Sequence, residues 1–333
     1  MQTFIAGLPK AELHLHIEGT LEPELKFKLA ERNGVLLNAA SVAEMRRAYD
    51  FDDLSSFLAV YYEGMSVLLT EEDFYDLTID YLTKARGQGV LYSEIFFDPQ
   101  AHTSRGIPFD TVIRGIRRAQ EDGESNLGIA SQLIMCFLRD MSAESAEETL
   151  DKSLEYKSWI IGVGLDSDER GNPPIKFAAV FARARREGYR LTMHCDVDQD
   201  DSVSHIWQCL NDIGVERIDH GVNSLDDPRL VEEILERELT LTVCPISNSY
   251  VTDSTKAHAI KRMLDLGMRV TINSDDPAYF PGYMQENFMV AQQEAELTGA
   301  ELVRLARNAF EGAWINESRR AGYLAVLEAY AAD

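Results

Sequence analysis

The sequence is short of basic residues for its length. Lys and Arg together number 32 against 56 Asp and Glu in 333 residues, which gives a formal net charge of −24 at pH 7. A chain with this excess of negative charge repels phosphate backbones and anionic lipid surfaces. We therefore expect neither a nucleic-acid polymer nor a membrane among the partners of this protein.

Cysteine and long apolar runs are also scarce. The four cysteines are scattered through apolar segments, a distribution that favours reduced thiols over a disulfide framework. No apolar run approaches the length that spans a membrane. The N-terminal stretch MQTFIAGLPK has no basic segment followed by a long apolar core, so it does not match a signal peptide. Together these absences predict a cytoplasmic protein.

Internal repeats, low-complexity segments and Pro- or Gly-rich linkers are absent as well. Hydrophobic residues make up 45% of the chain and charged residues 26%, which is ordinary for a globular protein with a sizeable core. A single α/β barrel often reaches this length. We therefore predict one domain over residues 1–333.

Short β-rich segments alternate with longer amphipathic helical patterns along the chain. Several of the short segments are near-continuous apolar runs, as expected for parallel strands that are buried on both faces. Eight strands with helical crossovers fit the α/β class and a (β/α)₈ TIM barrel, with a doubly wound open sheet as the alternative. We also expect a helical insertion after strand one, from Leu21 to about Leu82, and a helical C-terminal segment after Pro277. The predicted strands are Ala11–His16, Tyr92–Pro99, Ile129–Phe137, Ile160–Asp168, Arg190–Cys195, Glu216–Gly221, Leu239–Ser247 and Arg269–Asp276.

Histidine and aspartate are concentrated at the carboxyl ends of the predicted strands. In a barrel these ends meet at one face, where active sites are built. Taken singly, each of these residues is more often structural, as a core histidine or a turn aspartate. Their occurrence at four separate strand ends favours a functional site instead. The residues are His14 and His16 on strand one, His194 on strand five, His220 on strand six, and Asp275 and Asp276 on strand eight.

The spacing of His14 and His16 indicates a metal site. Residues two apart in a strand point to the same side. With His194 and Asp275 they would form a nitrogen-rich site with one carboxylate, which suits Zn²⁺ or Fe²⁺ better than Mg²⁺ or Ca²⁺. His220 would then act as a base, or as an orienting group, for the attacking water. Predicted strand four contains no lysine to bridge two metals, so we expect a single ion.

Four motifs resemble a known family. PKAELHLHIEGTLEPE, RIDHGV, TVCPISN and NSDDPAYF are similar to the adenosine/adenine deaminase group of the amidohydrolase superfamily, and the resemblance extends along almost the whole chain. It implies a (β/α)₈ barrel with one zinc ion and a reaction in which hydroxide attacks C6 of a 6-aminopurine, leaving a 6-oxopurine and an amine. The implied zinc ligands are His14, His16, His194 and Asp275, with His220 orienting the water and Asp276 bonding a ring nitrogen of the purine.

Two details of the resemblance imply a free base as substrate. Adenosine deaminases usually read HxHLDG, with an aspartate that faces the ribose, whereas this chain reads HLHIEG, which places Glu18 and Gly19 at the expected substrate site. GLDSDERGNPP is similar to the adenine-type loop after strand four, where a backbone N–H near Glu169 would meet the N3 edge of the purine. Adenosine remains an alternative substrate, and the oligomeric state is left open.

One motif departs from the family pattern. The family reads HAGE or HCGE, and its glutamate carries a proton to N1 of the purine. Here His194, Cys195 and Asp196 are followed by Val197, which carries no proton. Asp198 is our first candidate for the missing proton donor and Asp196 the second. Losing one general acid typically lowers the rate by roughly 10²–10⁴-fold, so a catalytically impaired, zinc-dependent purine-binding protein is a further alternative.

The altered motif also allows a larger substrate. A retracted carboxylate would free space near C6, which suits an adenine with an alkyl or isopentenyl group on N6. The insertion after strand one carries aromatic and apolar residues at helical spacing, and they predict either an amphipathic helix packed on the barrel or an apolar lid over the purine. These residues are Phe51, Phe57, Leu58, Tyr61 and Tyr62, whereas His102, His205 and His258 receive no role.

Overall fold

The computed structural model describes residues 1–47, 49, 51, 54–195, 199–252 and 254–332. Eight parallel strands follow one another around a single sheet in the order of the chain. The strands are β1 Lys10–His16, β2 Val90–Phe97, β3 Ala130–Leu138, β4 Ile160–Asp166, β5 Arg190–Cys195, β6 Arg217–His220, β7 Thr240–Val243 and β8 Arg269–Ile272.

The sheet closes on itself through the segment that follows β8. Leu15 pairs with Asp275 in a parallel bridge, the His16 N–H donates to the Asp275 carbonyl at 3.0 Å, and the Asp275 N–H donates to the His14 carbonyl at 3.1 Å. The protein is therefore a (β/α)₈ barrel, as the sequence predicts, and the open-sheet alternative is excluded. The expectation of one domain over residues 1–333 stays a prediction.

All eight predicted strands are present, but several end earlier than the sequence pattern indicates. The fourth and eighth end at Asp166 and Ile272 instead of Asp168 and Asp276. Ser167 and Asp275 have φ values of 74° and 66°. The left-handed backbone of Ser167 ends β4 directly, whereas β8 ends before Asp275, and the polar residues after both strands lie on the loops above the barrel.

Helices surround the barrel and form the two additional helical segments predicted from the sequence. The insertion after β1 contains α2–α5, and the C-terminal segment contains α14–α16. The helices are α1 Gln2–Gly7, α2 Pro23–Asn33, α3 Val42–Arg47, α4 Leu54–Gly64, α5 Glu71–Gly87, α6 Pro99–Thr103, α7 Phe109–Asp122, α8 Ala143–Ser153, α9 Ala178–Arg186, α10 Ser202–Gln208, α11 Pro228–Glu236, α12 Pro245–Val251, α13 Ala257–Asp265, α14 Met284–Ala295, α15 Gly299–Gly312 and α16 Glu317–Ala332.

A buried ion pair lies inside the barrel, toward the amino-terminal ends of the strands. Arg217 on β6 lies 2.5 Å from Glu94 on β2, and both side chains are inaccessible to solvent. The guanidinium also stacks over Trp314 at 4.1 Å from the ring centre and donates to the Gly312 carbonyl. The charge of each group is thus compensated where water cannot reach it. Among the helices of the described residues, none is long and apolar enough to cross a membrane.

Candidate active site

A cavity opens at the carboxyl ends of the strands, under the helical insertion. One side of it is formed by polar residues from the strand ends, and the other by apolar and aromatic residues of α4 and of the loops after β7 and β8. Phe57, Leu58, Tyr61 and Tyr62 therefore contribute to a lid over the cavity, whereas Phe51 packs on Phe57 and Phe280 below it. The lining residues are His16, Leu54, Phe57, Leu58, Tyr61, Tyr62, Asp98, Asp166, Ser167, His194, His220, Ser247, Val251, Asp275, Asp276 and Phe280.

Three histidines and one aspartate converge at the floor of this cavity. Nε2 of His194 lies 3.0 Å from Nε2 of His14 and 3.1 Å from Nε2 of His16. Asp275 Oδ1 lies 3.2 Å from Nε2 of His14 and 3.4 Å from Nε2 of His16. All four residues are buried, and their donor atoms lie within 4.8 Å of one another. The structure thus brings together the four residues that the sequence pattern grouped as metal ligands.

In His194 and His16, the group that faces Nδ1 determines which ring nitrogen carries the proton. His194 Nδ1 faces the Leu165 carbonyl at 3.1 Å, and His16 Nδ1 faces Asp166 Oδ2 at 3.3 Å. The carbonyl accepts the Nδ1 proton of His194, and the carboxylate beside Nδ1 of His16 favours the same tautomer, so Nε2 carries a lone pair in each ring. Orientation of a metal-binding histidine by a carbonyl or carboxylate is the usual arrangement around metal sites.

His14 is fixed in the same way through two other strands. Its Nδ1 lies 2.9 Å from the Thr242 hydroxyl and 3.2 Å from the Thr242 carbonyl. That hydroxyl donates its own proton to Asp219 Oδ1 at 3.0 Å, so it accepts from the histidine. Three nitrogen lone pairs therefore point at one another with no proton between them, beside a carboxylate. This donor set fits a divalent cation, which removes the repulsion between them.

Backbone strain directs several of these side chains into the cavity. Ser167, His220 and Asp275 all have positive φ, at 74°, 60° and 66°. Such conformations cost of order 1–3 kcal/mol each for a residue with a side chain, and they persist where the surroundings enforce them. The three positions follow β4, end β6 and follow β8, so the strain coincides with the rim of the candidate site.

His220 lies next to the four donors. Its Nε2 is 3.7 Å from Asp275 Oδ2, and the ring centre is 4.6 Å from that of His14. Burial lowers the pKa of His220 below its ordinary value. The imidazole is therefore neutral near pH 7, and it can accept a proton or a hydrogen bond from a water beside it.

Asp276 approaches the backbone of Gly19 very closely. A Cβ at Gly19 would lie 2.0 Å from Asp276 Oδ1 and 2.7 Å from its Cα, so only glycine fits there. Oδ1 of this aspartate is buried and, among the residues that the structure describes, has no hydrogen-bond partner. Burial raises the pKa of Asp276, and the charge of Asp275 beside it acts in the same direction. A protonated carboxyl here can donate to a ring nitrogen.

Two residues that the sequence placed at the substrate have their carboxylates turned elsewhere. Glu18 Oε1 accepts from His102 Nε2 at 2.8 Å and from the Asp98 N–H at 3.1 Å. Glu169 Oε1 lies 2.9 Å from His205 Nδ1. Neither glutamate lines the cavity. The expected backbone N–H contact near the second glutamate stays a prediction. The two histidines had no role in the sequence analysis because their partners lie 84 and 36 residues away.

Two residues at the site were not found from the sequence. Asp98 and Asp166 follow β2 and end β4, are 2% and 3% exposed, and line the cavity. Their position at the carboxyl ends of predicted strands was the available signal, but no partner spacing distinguished them from other aspartates.

The proton-donor candidates lie outside the described residues. Asp196 and Asp198, together with Val197, belong to the segment between 195 and 199, so both assignments stay predictions. The residue before this segment is described: Cys195 Sγ lies 3.5 Å from Cys209 Sγ, on the opposite side of β5 from the imidazole of His194.

Comparison with known sequences gives matches over nearly the whole chain. The adenosine deaminase family model matches residues 9–330. An uncharacterized deaminase of Schizosaccharomyces pombe is 58% identical over 332 residues, which cover 99% of this chain and 98% of the relative. An adenine deaminase of Chlorobium phaeobacteroides is 51% identical over 332 residues, with the same coverage of both chains.

Solved structures agree with these matches. The adenine deaminase from Arthrobacter aurescens superposes with a TM-score of 0.95 at 43% identity and covers 98% of this chain and 100% of its own. A zinc-bound amidohydrolase from Burkholderia ambifaria superposes with a TM-score of 0.88 at 26% identity, over 100% of this chain and 95% of its own. Sequence and fold therefore agree along the whole length, and the chain belongs to the adenosine deaminase family.

Proposed function

We propose that this protein is a zinc-dependent hydrolytic deaminase of a free 6-aminopurine base, forming a 6-oxopurine such as hypoxanthine and ammonia or an amine. The observation that carries the proposal is the buried convergence of three imidazole lone pairs and one carboxylate under an apolar and aromatic lid. Relatives named adenine deaminase, at 51% and 43% identity over the full length, support the choice of a free base.

The proposed ligands of a single zinc ion are the four donors at the cavity floor. The nitrogen-rich set favours zinc or iron over magnesium and calcium, and the zinc-bound relative supports zinc. A divalent metal bound there lowers the pKa of water and so supplies hydroxide near neutral pH. The residues are His14, His16, His194 and Asp275.

Two further residues act on the reactants. Neutral His220 accepts a hydrogen bond from the attacking water and orients it toward C6 of the purine. Protonated Asp276 donates to a ring nitrogen and fixes the ring in its plane against Gly19. A carboxyl of the 196–198 segment, Asp198 before Asp196, carries the proton to N1.

The apolar half of the cavity supports an N6-substituted adenine as a second candidate substrate. Phe57, Leu58 and Phe280 line it beside the metal donors, together with Leu54 and Val251. An alkyl group on N6 would be buried against these side chains, and each buried methylene contributes roughly 0.8 kcal/mol. Free adenine leaves this surface uncovered. Which of the two bases is preferred depends on how much of the apolar surface the substrate fills.

A side-by-side assay of the zinc-loaded full chain tests the proposal. The value of kcat/KM is measured for adenine, N6-methyladenine, N6-isopentenyladenine and adenosine, with metal content determined on the same samples. We expect fast turnover of at least one free base and little turnover of adenosine. Turnover of adenosine alone would overturn the assignment to free bases. Tight purine binding without turnover of any substrate would identify the protein as a zinc-dependent purine binder instead.

A further inference from the structure

A buried carboxyl oxygen in the cavity has no assigned task. Asp98 immediately follows β2 and is 2% exposed, and its backbone N–H is occupied by Glu18. Oδ1 of Asp98 is buried and has no hydrogen-bond partner within the described part of the chain. Because an unpaired buried acceptor is unfavourable, and because Asp98 lines the cavity, this atom is available to a ligand.

Asp98 lies close to His16, one of the four metal donors. Nε2 of His16 faces His194, and Nδ1 faces Asp166. Oxygen atoms of Asp98 and Asp166 and a nitrogen of His16 lie within 4.8 Å of one another. His16 thus belongs both to the four donors and to the cluster with Asp98 and Asp166, and Asp98 lines the same cavity as the donors. A purine with C6 at the donors occupies this cavity with its five-membered ring directed away from them.

A second cation at His16, Asp98 and Asp166 is the competing explanation for this cluster. It would need the lone pair of His16 Nδ1. That nitrogen faces Asp166 Oδ2 at 3.3 Å, and the nearby carboxylate favours a proton on Nδ1, which leaves Nε2 free for the four-donor site. The same histidine cannot serve both sites as a neutral ring, so the cluster fits an N–H donor better than a metal ion.

The lid closes the cavity at this end. The Tyr62 hydroxyl on α4 donates to Ser167 Oγ, after β4, at 2.8 Å, and both residues line the cavity. Tyr62 lines the same cavity as Asp98 and Asp166, and burial, followed by the charges of these two aspartates, raises the pKa of Tyr62. A ribose attached to the five-membered ring would have to displace this hydrogen bond, whereas a free base would not.

We propose that Asp98 Oδ1 accepts the N–H of the five-membered ring of an unsubstituted purine, which makes Asp98 the residue that selects free bases over nucleosides. The inference rests on the proposed deaminase function. A nucleoside has carbon in place of this N–H and leaves the carboxyl unpaired. Sites built to hydrogen-bond a substrate N–H or O–H reject analogues without it by roughly 10⁴–10⁵-fold.

Methylation of the ring nitrogen tests the contact without adding a sugar. For the zinc-loaded full chain, kcat/KM is compared for the best free base and its 9-methyl derivative. Titration calorimetry compares hypoxanthine with 9-methylhypoxanthine. In the wild type we expect discrimination of at least 10²-fold in both measurements. In Asp98→Ala, which removes the acceptor oxygen, we expect the free base to lose about 10²-fold and the discrimination to fall at least tenfold.

Asp166→Asn is the matched control, because it removes a neighbouring carboxyl of the same cavity. Asp166 orients His16, so this variant should bind zinc more weakly and slow both substrates by a similar factor, leaving the discrimination intact. Asp98→Leu, which also lacks an acceptor, serves if Asp98→Ala does not fold, as judged by thermal unfolding. The binding measurement keeps the test informative for an enzyme with weak turnover.

The outcomes separate this inference from the proposed function. If the wild type deaminates free bases and their 9-methyl derivatives equally well, the inference is wrong and the deaminase assignment stands. The same conclusion follows if Asp98→Ala keeps the wild-type discrimination. If the wild type shows no turnover, but its preference for hypoxanthine over 9-methylhypoxanthine depends on Asp98, the deaminase assignment fails and the contact is supported. If the wild type shows neither turnover nor purine binding, both the inference and the deaminase assignment are wrong.

Discussion

Nε2 of His14 lies 3.0 Å from Nε2 of His194, and both rings turn their Nδ1 atoms to acceptor oxygens on other strands, His14 to β7 and His194 to β4. The two lone pairs therefore face each other across a gap that no proton fills. This relationship explains why a residue on β1 and a residue on β5 belong to one site. It also explains why the orienting oxygens matter as much as the ligands.

Removing one ligand should release the metal. We expect His14→Ala to reduce zinc from about one ion per chain to a small fraction, because three remaining donors bind far more weakly in this buried site. Metal content by mass spectrometry and kcat/KM on the same preparation measure this. His258→Ala changes an exposed histidine on α13 and should keep full zinc and activity. A His14→Ala protein with full zinc would contradict the ligand set.

The hydroxyl that orients His14 should tune the affinity for the metal. Thr242→Val keeps the shape of the side chain but removes the acceptor at 2.9 Å from Nδ1. Loss of such an orienting partner typically weakens metal binding 10–100-fold, and competition with a chelator measures it. Thr240→Val, two residues earlier on the same strand, is the control and should bind zinc as the wild type does. Equal chelator resistance in Thr242→Val and the wild type would argue against the tautomer assignment.

The proton donor can be identified by a pair of amide substitutions. We expect Asp198→Asn to lower kcat by roughly 10²–10⁴-fold with full zinc content, because the amide cannot supply the proton to N1. Asp196→Asn, two residues away, should lose much less. If Asp196→Asn is inactive and Asp198→Asn turns over normally, the assignment is reversed.

The contact between Gly19 and Asp276 should be intolerant of a methyl group. Gly19→Ala places a Cβ 2.0 Å from Asp276 Oδ1. A displacement of about 1 Å at a substrate-binding group lowers the rate by about 10²-fold, so we expect kcat/KM to fall by that order with zinc retained. Gly322→Ala on α16 meets no atom within 4 Å and should leave activity unchanged. Normal kcat/KM in Gly19→Ala would remove Asp276 from the substrate site.

Activity should persist on the acidic side of neutrality. Burial lowers the pKa of His220 below 6.5, and a neighbouring cation acts in the same direction. The neutral, water-accepting form is therefore present above that lowered pKa and is lost only as the pH falls through it. We expect the acid limb of kcat/KM to lie below pH 6.5, measured between pH 4.5 and 8 with zinc content and circular dichroism followed. A limb at or above pH 6.5 on folded, zinc-loaded protein would rule out neutral His220 as the water acceptor.

Much of the fold was predictable because it depends on local pattern. Apolar runs at eight positions indicated buried parallel strands, and helical patterns between them indicated the crossovers, so the barrel followed from sequence order. The strand ends were less predictable, because no apolar pattern encodes the left-handed backbone of Ser167 after β4 or of Asp275 in the loop after β8. The altered motif at Val197 was visible in sequence, but the position of its neighbours lies outside the described residues.

The sequence by itself determined the chemical groups: an HxH pair, two further histidines and an Asp-Asp pair at strand ends, and the absence of the family's glutamate. Tertiary structure decided which of those groups share a site and which way each points. Glu18 and Glu169 are turned to His102 and His205, whereas Asp98, given no role from the sequence, faces the cavity. The physical reason is that the type of each side chain is fixed by its own position in the sequence. The direction in which that side chain points depends on hydrogen bonds between residues far apart in the chain.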